Sequence, residues 1–151
     1  MKKFLLTALL ALTVSTSCFA EGASGRFAAE EKAADALVAS ITGNAVTYDA
    51  VSKSFTQGLK NNLKAETFAT MKEQIKKQVG TVKNANLVLL NKPYDPQKGY
   101  NGVDEMVYVG SVGKDKFARI IILFTLENNA PKINAFQVVP VEIKKEESAK
   151  K

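Results

Sequence analysis

The chain is 151 residues long, with 21 Lys and Arg against 15 Asp and Glu, a net charge of +6, one Cys and no His. The missing histidine excludes Ser-His-Asp catalysis, His-liganded zinc and the usual proton shuttle near neutral pH, which leaves general acid–base work to Asp, Glu, Tyr or Lys. The positive excess is small and scattered, so it suits solubility or weak contact with anionic surfaces and makes no nucleic-acid footprint.

Residues 1–20 have the layout of a secretory signal peptide. Lys2 and Lys3 form a positive start, Phe4 to Val14 an apolar run broken by Thr7 and Thr13, and Ser15 to Ala20 a mostly small exit before Glu21 and Gly22. Cleavage is expected after Ala20. The run is shorter than the roughly 20 residues of a spanning helix, so no transmembrane anchor is expected. Cys18 offers a competing lipoprotein reading, but the position three before it is Ser15 where a large aliphatic residue is wanted. Cleavage after Ala20 removes the only cysteine, so residues 21–151 must be held by packing without disulfides. The expected address is the periplasm or the medium.

Residues 24–42 are predicted as a helix with Phe27, Ala34, Leu37, Val38 and Ile41 on one stripe, Ser24 as its cap and Gly43 as its stop. Glu30, Glu31, Lys32 and Asp35 are assigned to its other faces. Residues 47–63 are predicted as a second helix, capped by Thr47 and buried through Tyr48, Val51, Phe55, Leu59 and Leu63. Gly58 there costs helicity or permits close packing. A third helix is expected at about 66–79, with Phe68, Met71, Ile75 and Val79 inward and Gly80 as a left-handed cap. Lys72, Lys76 and Lys77 form its solvated side.

The pattern then alternates. Strands are predicted at 82–92, 104–112, 116–127 and 132–142, with a loop at 93–102 and turns at 113–115 and 128–131. Met106, Tyr108, Gly110 and Val112 share one face of the second strand. Ile120, Ile122, Phe124 and Leu126 share one face of the third, while Phe117, Arg119, Ile121 and Leu123 share the other. In the fourth, Ile133, Ala135, Gln137 and Val139 are set opposite Asn134, Phe136 and Val138. Successive tight turns imply antiparallel pairing. The expected fold class is α+β: three N-terminal helices packed on a curled antiparallel sheet of about four strands, in one domain over 21–143, followed by a disordered charged tail at 144–151.

This order of segments resembles the cystatin-like cone of the nuclear-transport-factor-2-like and SnoaL-like proteins. It is closer still to a group of exported bacterial domains built on that plan. The likeness rests on the Ala-rich first helix (Phe27 to Ile41), the segment Phe55 to Lys60, the helix end Gln78 to Gly80, and the strands Arg119 to Phe124 and Ala130 to Pro140. It implies a fold that hosts isomerases, dehydratases and many non-catalytic binding modules. In ketosteroid isomerase, a member, an Asp base works with a Tyr and a protonated Asp. No acid of this chain matches a catalytic pattern residue by residue, so no catalytic residue is carried over.

Four residues are candidates for ligand binding. Tyr100, Asp104 and Tyr108 would meet at the mouth of the cone, where a Tyr beside a carboxylate orients or deprotonates a small carbonyl compound. Arg119 lies mid-strand, either as a buried cation needing an anion or as a solvated residue on an open face. The 93–102 loop is long for a hairpin connection and suits a ligand mouth. A strand apolar on both sides implies a sheet covered on both faces, with a partner, a second copy among the candidates, expected over the face the helices leave free. No cofactor and no metal is expected. The function expected is an exported non-enzymatic binding or interaction module, holding a small apolar ligand or an envelope protein. The alternative is a small lyase or isomerase using a carboxylate and Tyr.

Overall fold

The computed structural model describes residues 23–43 and 45–142. The signal peptide with Cys18 and Ala20, and the charged tail at 144–151, lie outside the described residues. Helix α1 spans Ala23–Thr42, α2 Tyr48–Ser52, α3 Gln57–Asn62 and α4 Ala65–Gln78. Strands follow at β1 Lys83–Asn91, β2 Tyr94–Asp95, β3 Gly99–Tyr100, β4 Val103–Gly113, β5 Lys116–Glu127 and β6 Ala130–Glu142. The four long strands form an open antiparallel sheet in the order β1-β4-β5-β6, and β2 pairs with β3 in a separate small hairpin. The α+β plan of helices followed by a meander is therefore the observed one. Among the described residues no helix is long and apolar enough to cross a membrane.

The predicted second helix is two helices. Ser54 and Thr56 exchange backbone hydrogen bonds with Ile133 at 2.8 and 2.9 Å, so Phe55 lies beside β6 as a one-residue parallel bridge. Helix α3 restarts with the Thr56 hydroxyl accepting from Leu59 N at 3.2 Å. The break is tertiary in origin. It sinks Phe55 to 0% exposure among Tyr48, Phe68 and Phe136, with ring centroids 6.3–6.5 Å away. Thr47 caps α2 as expected, and Gly80 takes φ +106° behind α4. Ser24 lies inside the first turn of α1, not ahead of it.

The turns follow their residues. Asn128 and Asn129 both take positive φ (53° and 61°), the geometry of a two-residue hairpin turn whose twist matches its strands. In β6 the register slips by one residue between Leu123 and Phe124, which pair with Ala135 and Ile133. The extra residue, Asn134, moves Ile133 onto the helix side with Phe136 and Val138, where unbroken alternation had placed it opposite. Leu126 also departs from expectation. It sits next to the β5–β6 turn and stays 48% exposed.

The core lies between the helices and one sheet face. Leu37, Val51 and Phe55 meet Met106, Ala118, Ile120, Ile122, Phe124 and Ile133, all at most 1% exposed. This side of the sheet is filled by side chains. At Gly110 the packing leaves no room for one carbon: a Cβ there would stand 2.6 Å from Val82 Cγ1 and 2.9 Å from the Lys83 carbonyl. Strand β1 crosses at this point, with its own register irregularity between Lys83 and Asn86.

Gly110→Ala is expected to destabilise the fold by about 1–3 kcal/mol in urea unfolding, since the clash is with backbone. Gly58→Ala is the counterpart. A Cβ at Gly58 meets nothing within 4 Å, so the substitution is expected to stabilise by up to about 1 kcal/mol by the same measurement.

Candidate functional site

Glu30 falls three residues after Phe27 and four before Ala34, so the helical period places it on the buried stripe of α1, not on the outer face first assigned to it. It is 0% exposed. Asp104, near the start of β4, is also 0% exposed, because its face of the strand is the one turned to α1. Two carboxylates thus enter the protein interior at the same end of the sheet. A buried carboxylate survives only when paired and hydrogen-bonded.

Arg26 Nε donates to Glu30 Oε1 at 2.8 Å, one helical turn away. Arg26 Nη2 lies 2.7 Å from Asp104 Oδ2 and donates to the Tyr100 hydroxyl at 2.7 Å. Tyr100 in turn donates to Asp104 Oδ1 at 2.6 Å. Lys92, just after β1, donates to Asp104 Oδ2 at 2.7 Å and stands 3.7 Å from Glu30 Oε2. The Arg26 guanidinium also lies 5.3 Å from the Tyr100 ring centre. Every acceptor oxygen of Asp104 is used, whereas Glu30 Oε2 is buried with no hydrogen-bond donor.

The two carboxyl groups titrate in opposite directions. Burial pushes Glu30 up, and the hydrogen bond it shares with Asp104 pushes it further, against the pull of Arg26. Burial would raise Asp104 as well. Hydrogen bonds from Glu30, Lys92 and Tyr100 and the charge of Arg26 outweigh that, and Asp104 sits below its ordinary value. Burial and Asp104 push the Tyr100 hydroxyl up to about 12. The group is two carboxyls displaced in opposite directions, a phenol and two cations that both carboxyls share, an arrangement in which the two acids titrate as a pair.

Of the four sequence candidates, Tyr100 and Asp104 are brought together. Tyr108 is not with them. Its hydroxyl donates to Asp35 of α1 at 2.7 Å, and burial followed by that hydrogen bond raises its pKa. Arg119 is on the opposite face of the sheet and exposed. Arg26, Glu30 and Lys92 escaped sequence reasoning. An acid on an apolar helical stripe was the available signal for Glu30, and its (i, i+4) spacing from Arg26 was the signal for Arg26. Lys92 had none.

The loop at 93–102 is ordered by its own turns. Asp95 Oδ1 accepts from Gln97 N and Lys98 N at 2.7 and 3.0 Å, and Asn101 Oδ1 accepts from Val103 N at 2.9 Å. Its small hairpin carries Tyr100 into the cluster and leaves Tyr94 exposed. An open hollow of about 720 Å³ lies against the hairpin, lined by Pro93, Tyr94, Pro96 and Lys98; neither carboxylate lines it.

No protein-family model, curated protein or solved structure matches this chain.

Asp104→Asn is expected to bring the Glu30 pKa down toward the ordinary range. Arg26 and Lys92 then have only Glu30 to face, and the neighbouring negative charge that helped to raise it is gone. Carboxyl carbon-13 NMR titration of Glu30 reads this directly; an unmoved Glu30 would show that burial alone sets it. The same variant removes a stability contribution that wild type holds above the ordinary Asp value and loses as pH falls through Asp104's depressed one. Urea midpoints of the two proteins should therefore converge at the acid end.

Proposed function

We propose that this protein is an exported, non-enzymatic interaction module on a cystatin-like plan, and that its working surface is the sheet face the helices leave uncovered. The observation that carries this is the make-up of that face. Three cross-strand rows occupy its middle: Glu105–Leu123–Ala135, Val107–Ile121–Gln137 and Val109–Arg119–Val139. Leu89 extends the middle row on β1 and is 49% exposed. Val107 is buried to 6% exposure yet lies outside the core cluster. An apolar patch rimmed by polar residues is the usual mark of a contact surface.

The occupant we propose is a second copy of this chain. Charge favours it: Glu105 stands at one end of the face and Arg119 toward the other. A two-fold axis running across the strands lays the Arg119 end of one sheet over the Glu105 end of its partner. The pairing is self-complementary, as a two-fold contact requires. The exported address rests on residues 1–20.

The rival reading, a lyase or isomerase, has its groups in place, since an acid with a raised pKa stands beside a carboxylate and a Tyr. What weighs against it is access. Glu30 and Asp104 are both 0% exposed, and a general acid or base must come within hydrogen-bond reach of its substrate.

Sedimentation velocity at roughly 50 µM, above the dissociation constant of a micromolar dimer, is expected to give a dimer. Ile121→Glu should dissociate it while leaving the circular dichroism unchanged. Arg119→Glu should weaken it, and adding Glu105→Arg should restore it. A monomer for the wild type at this concentration would sink the proposal.

A further inference from the structure

The hairpin of β2 and β3 is joined to α1 through the cluster of Arg26, Glu30, Lys92, Tyr100 and Asp104. We propose that a single proton held between the Glu30 and Asp104 carboxyls latches this hairpin onto α1, and that losing the proton releases it.

One buried oxygen without a donor is the observation behind this proton. Glu30 Oε2 is sealed from water and receives no hydrogen bond from any N–H or O–H donor, with Lys92 Nζ no nearer than 3.7 Å. A buried carboxylate oxygen without a donor is costly to keep ionised, whereas a protonated one becomes a donor itself. The carboxyl that shares Arg26 and Lys92 with it is Asp104, whose own oxygens take Arg26, Lys92 and Tyr100. The direction of the two titrations agrees with one proton between them.

Release follows from which elements the charges sit on. Around Glu30 the charged and titratable groups are Arg26 on α1, Lys92 after β1, Tyr100 on β3 and Asp104 on β4. Arg26 shares a helix with Glu30, so it stays with Glu30 whatever the hairpin does. Among the described residues, Tyr100 is bonded to α1 through Arg26 and to β4 through Asp104. When both carboxyls are charged, Arg26 and Lys92 must serve two anions in a dry site where Glu30 Oε2 has no hydrogen-bond donor, and the cheapest relief is to admit water. The Tyr100 contact is the one that must part to admit it, because Tyr100 is 38% exposed and its hairpin has just two strand residues on each side. Opening would uncover Arg26, Lys92 and both carboxylates together.

The sign is fixed by linkage. A folded-state pKa above the unfolded one means the folded chain holds the proton more tightly. The contribution is complete below the ordinary Glu value and is lost as pH rises through the raised one.

The test is residue-resolved amide exchange of Gln97, Lys98, Gly99 and Tyr100 across pH, corrected for intrinsic rates, alongside carbon-13 titration of the Glu30 carboxyl in the same wild-type sample. Protection is expected to fall by about tenfold or more through the Glu30 midpoint. Glu30→Gln carries a side-chain N–H that imitates the protonated acid, so it should keep the hairpin protected at every pH. Three results would each overturn the latch: hairpin protection that ignores pH, a Glu30 midpoint in the ordinary carboxylate range, or the same step persisting in Glu30→Gln. Should that variant fail to fold, the coincidence or separation of the two wild-type midpoints decides alone.

Discussion

One layer of helices on one face of a four-stranded sheet is the constraint from which the rest follows. It gives the sheet one face that must be dry and one that need not be. The dry face takes the large side chains, Phe124, Ile120, Ile122 and Met106, and each gains about 1.5–3 kcal/mol by leaving water. To close it, the chain between α1 and α4 has to reach the β6 edge. It does so by abandoning helix at Phe55 and hydrogen-bonding to Ile133. The bulge at Asn134 is the answering distortion in the sheet, since it turns Ile133 toward the helices at that point.

The polar cluster is a consequence of the same layering. Helix α1 runs over the sheet, and its N-terminal end carries Arg26 and Glu30 to the end of β4 where Asp104 points inward. Apolar packing alone would leave that corner indifferent to how the 93–102 segment folds over it. A buried ion network is weak evidence for stability, because desolvation offsets most of its attraction. Its distances matter more for what they select: Tyr100 meets both Arg26 and Asp104 in one hairpin geometry. The cost of that selection is an acid, Glu30, whose burial pushes its pKa up. Such an acid can act as a switch of contacts without ever meeting a substrate.

The two faces of the sheet therefore divide the proposed roles. The helix side is filled, with its polar groups satisfied mostly by one another. The open side keeps Leu89, Ile121 and Leu123 at its surface next to Arg119 and Glu105. Strand β4 carries one element of each, since Asp104 and Glu105 are consecutive on it and point opposite ways. An event at the latch and an event on the open face share that strand.

Local chemistry was enough to place most elements. Period 3.6 in Leu37, Val38 and Ile41, alternation in Met106 and Tyr108, and the turn residues Asn128 and Asn129 each act within a few positions, so they are legible without tertiary knowledge. So was the end of α4 just before Gly80. What escaped depended on contacts distant in sequence. The break at Phe55 needs Ile133, 78 positions on; the inward turn of Ile133 needs a bulge that alternation does not announce. Glu30 looked like a surface acid because its partners Lys92, Tyr100 and Asp104 come from three other elements. Composition by itself determined which chemistries are closed to a chain without histidine. Only the tertiary structure decided where its carboxylates meet, because a charge is buried or solvated by its neighbours in space.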